Sequence, residues 1–236
     1  MDTGWIWRVD GDRAEPAFHT GDAPNGIAIH PSGLIYCAQS VPGIAIVSTV
    51  GGDPEVLVSG AFNSPNDLTW VVGELAFSDP TYGLQYSKAD ARPPAVYAWD
   101  GETTRVVLDG LVQPNGLAAG HGDTAYITDS GTQQVHRVEV APGRPWSILT
   151  SVTLPSDRPG VVDGLATWFD AGLLLVSGPG GVWALELETL RAVWRVPFDD
   201  KVTNIALAAD QTTALVTTHN DVWLGDLTRL RASIGA

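Results

Sequence analysis

Short apolar runs alternate with polar positions along almost the whole chain, and Gly, Pro and Asp cut them at close intervals. After Asn25 the pattern predicts strands over Gly26–His30, Leu34–Ala38, Gly43–Ser48 and Glu55–Val58, with a Pro31-Ser32-Gly33 turn between the first two. After Asn66 it predicts strands over Leu68–Val71, Leu75–Ser78, Ala95–Trp99 and Arg105–Leu108, with an Asp100-Gly101 turn before the last. Runs of this length and spacing read as antiparallel strands joined by hairpins. No long window shows a 3.6-residue period, so helix is expected to be minor.

Each set of runs opens on one polar signature: Pro24-Asn25-Gly26, Pro65-Asn66-Asp67, Pro114-Asn115-Gly116, Val162-Asp163-Gly164 and Thr203-Asn204-Ile205. The signatures recur at roughly 40–50 residues, and four strands per such period is the blade of a β-propeller. An Asp closes the second strand in two blades, at Asp79 and Asp129, and Asp2 fits the same slot before the strand Trp5–Val9. The reading is therefore an all-β, six-bladed β-propeller in one domain over residues 1–236, with its first blade truncated. Residues 1–20 are the remnant of blade 1, and blades 2 to 6 take 21–59, 60–109, 110–158, 159–197 and 198–236. Trp7, Trp99, Trp183 and Trp223 fall in third strands, where repeated aromatics pack one blade on the next. Two longer spans, Tyr82–Pro94 and Ala141–Gly160, read as loops, either pocket walls or surface variation.

Composition fits this picture. The 236 residues are 44% hydrophobic and 17% charged, with 26 Gly and 16 Pro for turns. A net charge of −14 with only 13 Lys and Arg argues against nucleic acid and against anionic membranes. The lone Cys37 lies in an apolar run and reads as a buried structural thiol, and no signal peptide or membrane-length run is present, so a cytoplasmic setting is expected.

Equivalent positions of repeats face one axis, so the five Asn or Asp side chains are candidates to converge. Asn and Asp supply oxygen ligands of the kind hard cations take. Asn66, Asn115 and Asp163 come from successive blades; Pro24-Asn25-Gly26 alone also reads as a turn, since Asn and Gly tolerate positive φ. There is no Gly-x-Ser-x-Gly elbow, the five His show no zinc spacing, and Gly178-Pro179-Gly180-Gly181 reads as a hairpin connection rather than a phosphate loop.

Asn63-Ser64-Pro65-Asn66-Asp67-Leu68, with Phe77-Ser78-Asp79-Pro80-Thr81-Tyr82-Gly83-Leu84 after it, resembles the gluconolactonases and senescence-marker-protein-type lactonases. Gln113-Pro114-Asn115-Gly116-Leu117-Ala118, Thr128-Asp129-Ser130-Gly131, Gly160-Val161-Val162-Asp163-Gly164-Leu165 and Val202-Thr203-Asn204-Ile205 are similar to the same family. The resemblance implies one divalent cation, Ca²⁺ first with Zn²⁺, Mn²⁺ or Mg²⁺ as alternatives. It implies Asn115 and Asp163 as metal ligands, with Asn66 as a metal or substrate contact. It also makes Asp163 the general base and Asn66 and Asp67 substrate-binding residues; Tyr82, which opens the Tyr82–Pro94 span, is a further candidate substrate-binding residue as part of a pocket wall. The family's Glu-Gly-Pro ligand motif is absent from this sequence. The expected function is hydrolysis of small sugar lactones by a monomer or weak oligomer. The alternatives are a non-catalytic or degenerate propeller and a propeller hydrolase of other esters, such as organophosphates.

Overall fold

The alternating runs form β-strands in a computed structural model that describes residues 4–10, 13–21, 23–30, 35–41, 44–49, 54–82 and 92–234. Asp2, the Pro31-Ser32-Gly33 turn and residues 83–91 of the Tyr82–Pro94 span lie outside the described residues. The chain divides into two compact units, Met1–Leu111 and Val112–Ala236.

In the first unit β1 (Trp5–Asp10) pairs with β2 (Arg13–His19). A second sheet contains β3 (Pro24–Ile29), β4 (Ile35–Val41), β5 (Ile44–Thr49) and β6 (Glu55–Ser59). A third contains β7 (Leu68–Val71), β8 (Glu74–Asp79), β9 (Ala95–Trp99) and β10 (Thr104–Leu108). Both run antiparallel in chain order, the up-and-down meander of a propeller blade. Ala38 and Val58 of the second sheet pack against Leu68, Leu75, Phe77 and Tyr97 of the third. Phe62 stands edge-on to both Phe77 and Tyr97, with ring centroids 5.3 and 5.2 Å away. Cys37 is fully buried beside Ile6 and Phe18, and burial pushes its thiol up to about 12, as expected of an inert structural thiol.

The second unit repeats the plan. One sheet contains β11 (Pro114–Ala119), β12 (Thr124–Asp129), β13 (Gln134–Glu139) and β14 (Ser147–Thr153). The next contains β15 (Leu165–Trp168), β16 (Leu173–Gly178), β17 (Gly181–Glu186) and β18 (Ala192–Pro197). A three-stranded sheet of β19 (Val202–Leu207), β20 (Thr213–Thr218) and β21 (Val222–Asp226) follows, and α1 (Leu227–Ile234) closes the unit. One apolar cluster joins the first two sheets through Tyr126, Val135, Leu165, Leu174 and Leu185. Another joins the last two through Trp168, Leu173, Leu175, Ile205 and Val216. The strand β16 is buried at all six positions because both its faces are covered, hence its unbroken Leu-Leu-Leu-Val run.

Two expectations are corrected. The Ala141–Gly160 span is not all loop, because β14 lies inside it; this outer strand is exposed or half-buried throughout, so it carries no buried apolar face to betray it. Of the third-strand tryptophans, Trp99 and Trp183 pack against inter-sheet clusters, but Trp7 and Trp223 are 53% and 51% exposed. Those two lie in the two- and three-stranded sheets.

A close approach of neighbouring innermost strands sets the spacing of the sheets. Gly26 N donates to Asn66 O (2.7 Å) and Gly164 N to Thr203 O (2.9 Å). A Cβ on Gly26 would sit 2.6 Å from Asp67 Cα, one on Gly116 2.9 Å from Gly164 Cα, and one on Gly164 2.8 Å from Asn204 Cα. None of these three glycines has positive φ. Asn25 and Gly26 lie inside β3, so the turn reading of Pro24-Asn25-Gly26 is overturned: the glycine is there for clearance, not for a left-handed backbone. The replacement Gly116→Ala is expected to lower the unfolding free energy by about 1–3 kcal/mol through overpacking against backbone. Gly225→Ala, whose nearest neighbours would be 3.9 Å away, should change it far less; denaturant midpoints of the two variants check this.

Candidate functional site

Each innermost strand begins with the same irregularity. β11 pairs Pro114 with Asp129 and Leu117 with Ile127, so Asn115 and Gly116 together face Thr128. This is a β-bulge, which bends a strand locally and re-aims a side chain. The same two-against-one arrangement sets Asn25-Gly26 against Ala38. It sets Asn66-Asp67 against Ser78, with Asn66 N donating to Ser78 O (2.9 Å) and Ser78 N to Asp67 O (3.0 Å). Asp163-Gly164 face Ser177 through equivalent bonds of 3.1 and 2.9 Å, and Thr203-Asn204 face Thr217.

The register corrects one sequence assignment. Asn204 occupies the second position of its bulge, where Gly26, Gly116 and Gly164 stand; Thr203 is the true counterpart of Asn115 and Asp163. Asp67 shares that second position with Asn204. Each of the two turns its Oδ1 back to accept the following N–H, from Leu68 (2.9 Å) and Ile205 (2.7 Å).

Hydroxyls opposite the bulges lock them. Thr128 Oγ1 accepts from Gly116 N (2.8 Å) and donates to Asp163 O on the next strand (2.6 Å). Ser177 Oγ donates to Gly164 O (2.8 Å), with Thr203 O at 3.2 Å. Ser78 Oγ accepts from Asp67 N (3.1 Å). Asn115 is 5% exposed, and its Nδ2 donates to Ser130 Oγ (2.9 Å), which donates to Val162 O (2.6 Å). A hydroxyl has one hydrogen, so Ser130 cannot donate to Asn115 as well. The amide nitrogen must therefore face Ser130, and Oδ1 is the end turned away from it.

Asp79 and Asp129 do more than close strands, a role the sequence pattern did not reveal. Asp79 accepts from Asn63 N (2.9 Å) and Ser64 N (2.7 Å). Asp129 accepts from Val112 N (3.0 Å) and Gln113 N (2.9 Å). Each carboxylate thus clamps the segment that leads into its own bulge. Asn63 extends one clamp, because its Nδ2 donates to Arg92 O (3.0 Å) and its Oδ1 accepts from Arg92 N (2.9 Å). Burial pushes the Asp79 carboxyl up to about 6, against the pull of the Asn63 and Ser64 N–H groups and the Arg92 charge.

In the second unit, then, Asn115, Asp163 and Thr203 hold one slot on three adjacent innermost strands, with Asp163 half-buried. In the first unit Asn25 and Asn66 share that slot on adjacent strands; Asp67 is buried, and Tyr82 is half-buried just past β8. Among the described residues no three His, Cys, Asp or Glu side chains cluster as metal ligands. The oxygen donors of the slots in the second unit are one amide, one carboxylate and one hydroxyl. Among the described residues no helix is long and apolar enough to cross a membrane.

No family profile and no curated protein matches the chain. Its structure is similar to that of a candidate gluconolactonase, with a TM-score of 0.80 and 24% identity over 94% of this chain and 81% of that one. A gluconolactonase from Xanthomonas campestris is also similar, with a TM-score of 0.75 and 21% identity over 89% of this chain and 74% of the other. So is a chain of a nidogen–laminin complex, at 0.73 and 18% over 97% and 88%. The fold is all-β and propeller-like. At these identities the likeness speaks for the fold.

The Asp79 clamp yields a pH signature. Its folded value lies above the ordinary 3.8, so unfolding releases a proton between pH 3.8 and about 6. Stability from this group therefore falls as pH rises through that window, by up to about 3 kcal/mol, and levels off above it. Thermal midpoints of the native protein minus those of Asp79→Asn, taken from pH 4 to 7, should fall between pH 4 and 6 and then flatten.

Proposed function

We propose that this protein is a divalent-metal-dependent hydrolase of small sugar lactones, with its six sheets as six blades. The observation that carries the reading is the shared slot of Asn115 and Asp163. The two stand on adjacent innermost strands, with the orientation of one fixed by Ser130 and the backbone of the other tied to Thr128. The likeness in fold to gluconolactonase structures supports it.

The donor set fits a hard cation in kind, since Asn115 Oδ1 and the Asp163 carboxylate are both oxygen ligands. With no His or Cys in the slots, Ca²⁺, Mg²⁺ or Mn²⁺ suits them better than Zn²⁺. When bound, the cation would polarise the lactone carbonyl. Asp163 accepts the proton of the attacking water and orients its lone pair, a role for which its half-buried position leaves access. Asn115 holds its oxygen at a fixed angle, so no side-chain freedom is lost when a ligand arrives. Asn66, Asp67 and Tyr82 remain the proposed substrate contacts.

A second reading, a non-catalytic binding propeller, is favoured by the low charge of the slots in the second unit: Asp163 is the one carboxylate among Asn115, Asp163 and Thr203. Affinity for Ca²⁺ follows ligand charge, so such a site binds weakly, on the order of 10⁻⁴ M. Lactone hydrolysis followed by proton release separates the two. Activity should require added Ca²⁺, Mn²⁺ or Mg²⁺ and vanish with chelator, and Asp163→Asn should lower kcat by about 10²–10⁴-fold with the thermal midpoint retained. No turnover of any aldonolactone with any of these ions or Zn²⁺ would overturn the lactonase reading.

A further inference from the structure

The protein carries 27 Asp and Glu against 13 Lys and Arg, so arginines that face one another run against its overall charge. Two such arginines meet at the Gly178-Pro179-Gly180-Gly181 connection between β16 and β17. Arg158 Cδ and Arg195 Nη1 lie 2.5 and 3.0 Å from the point where a Gly180 Cβ would stand. Gly180, at φ +73°, therefore serves two ends: it takes a left-handed conformation, and it leaves the space into which both side chains reach. Among the described residues neither guanidinium makes an ion pair.

One of the pair is held in place without a carboxylate. The Arg195 guanidinium carbon sits 5.2 Å from the centre of the Trp183 ring, a cation–π contact. The ring is itself fixed, because Trp183 Nε1 donates to Pro179 O (3.1 Å). A cation–π contact restrains a guanidinium without using its N–H donors, which stay available to receive an oxyanion. Arg158 is exposed and comes from the segment that leads into β15. That segment is tied to the connection through Gly180 N to Pro159 O (2.9 Å) and to the end of β16 through Asp163 N to Ser177 O (3.1 Å). Five positions lead from Arg158 to Asp163, so at most about 17 Å of chain lies between that arginine and the candidate base.

We propose that Arg158 and Arg195 form an anion-binding subsite that takes a phosphate or carboxylate group, on the same edge of the fifth sheet as Asp163. An overall charge of −14 repels anions at long range, so recognition of one here depends on this local pair. Two sources supply that chemistry: an anionic group on the substrate of the proposed lactonase, or a free inorganic anion. The subsite itself does not rest on the lactonase reading, because binding is measured without turnover.

Calorimetric titration of the full chain with inorganic phosphate at low ionic strength tests it. The native protein should bind saturably at one site. Arg158→Gln and Arg195→Gln should each raise Kd at least 10-fold, and Arg195→Lys, which keeps charge but loses the stacked plane, should fall between. Arg144→Gln, an equal charge change on the exposed β13–β14 connection, should leave Kd within two-fold. Absence of saturable binding, or equal weakening in all the Gln variants including Arg144→Gln, would overturn the subsite. In the lactone assay, competitive inhibition by phosphate assigns the anion to the substrate, and unchanged turnover at saturating phosphate assigns it to a separate ligand.

Discussion

Everything at the inner edge of this protein follows from how closely its innermost strands approach one another. With backbone atoms of the next strand less than 3 Å from where a Cβ would stand, the second residue of the bulge must be Gly at 26, 116 and 164, while Asp67 and Asn204 fill the same position with an Asx side chain bent back on its own chain. That constraint forces the bulge into the same register from sheet to sheet, and the bulge then turns the preceding residue out of the ordinary in–out alternation. The polar slot is thus a by-product of the packing that joins the sheets. Thr128 binds both ends of the arrangement, with its hydroxyl joining Gly116 N to Asp163 O. A change in sheet spacing would move the candidate ligands with it.

Burial is greatest on the second strands and falls toward the outer edge. β8, β12 and β16 are almost wholly buried, while β14 and β18 show only exposed or half-buried positions. Second strands therefore carry most of the apolar stabilisation, and they are also the strands that end in the clamping Asp79 and Asp129 or the locking Ser177. A rigid, well-packed strand is the right place to anchor groups that must hold a slot to within a fraction of an ångström. The Asp79 carboxylate illustrates the cost: it secures the Asn63-Ser64 segment only by being desolvated, which raises its proton affinity.

The fold was legible because the period-two alternation and the recurring signature both report on buried, repeated structure. β7 and β9 were predicted residue for residue, and the closing Asp79 and Asp129 fall where the spacing placed them. The failures share one cause, positions whose role depends on a neighbouring strand. Asn204 resembled the other signatures but sits one place along in its bulge, which only pairing with Thr217 reveals. Gly26 resembled a turn glycine, yet its small size matters for Asn66 and Asp67, some forty residues away in sequence. β14 left no trace because an exposed outer strand needs no apolar face. The arginine pair was invisible for the same reason, since nothing in the chain links Arg158 to Arg195 except the Gly180 connection.

The difference between Asn115 and Asp163 is itself dictated by their surroundings. Ser130 spends its one hydrogen on Val162 O, so toward residue 115 it offers only lone pairs. An amide meets that with a donor; a carboxylate in the same place would set acceptor against acceptor in a site only 5% exposed, and burying such a charge is costly. Asn is therefore required at 115 by its neighbour, whatever ligand its oxygen serves. At 163 the hydrogen bonds from Thr128 and to Ser177 involve the backbone, so they hold the strand in place whichever side chain stands there. An amide held in fixed orientation by Ser130 thus stands on the strand next to a half-buried carboxylate whose own backbone is tied through Thr128 to the bulge at Gly116, so the two positions keep their relation only while that hydroxyl bridge is intact.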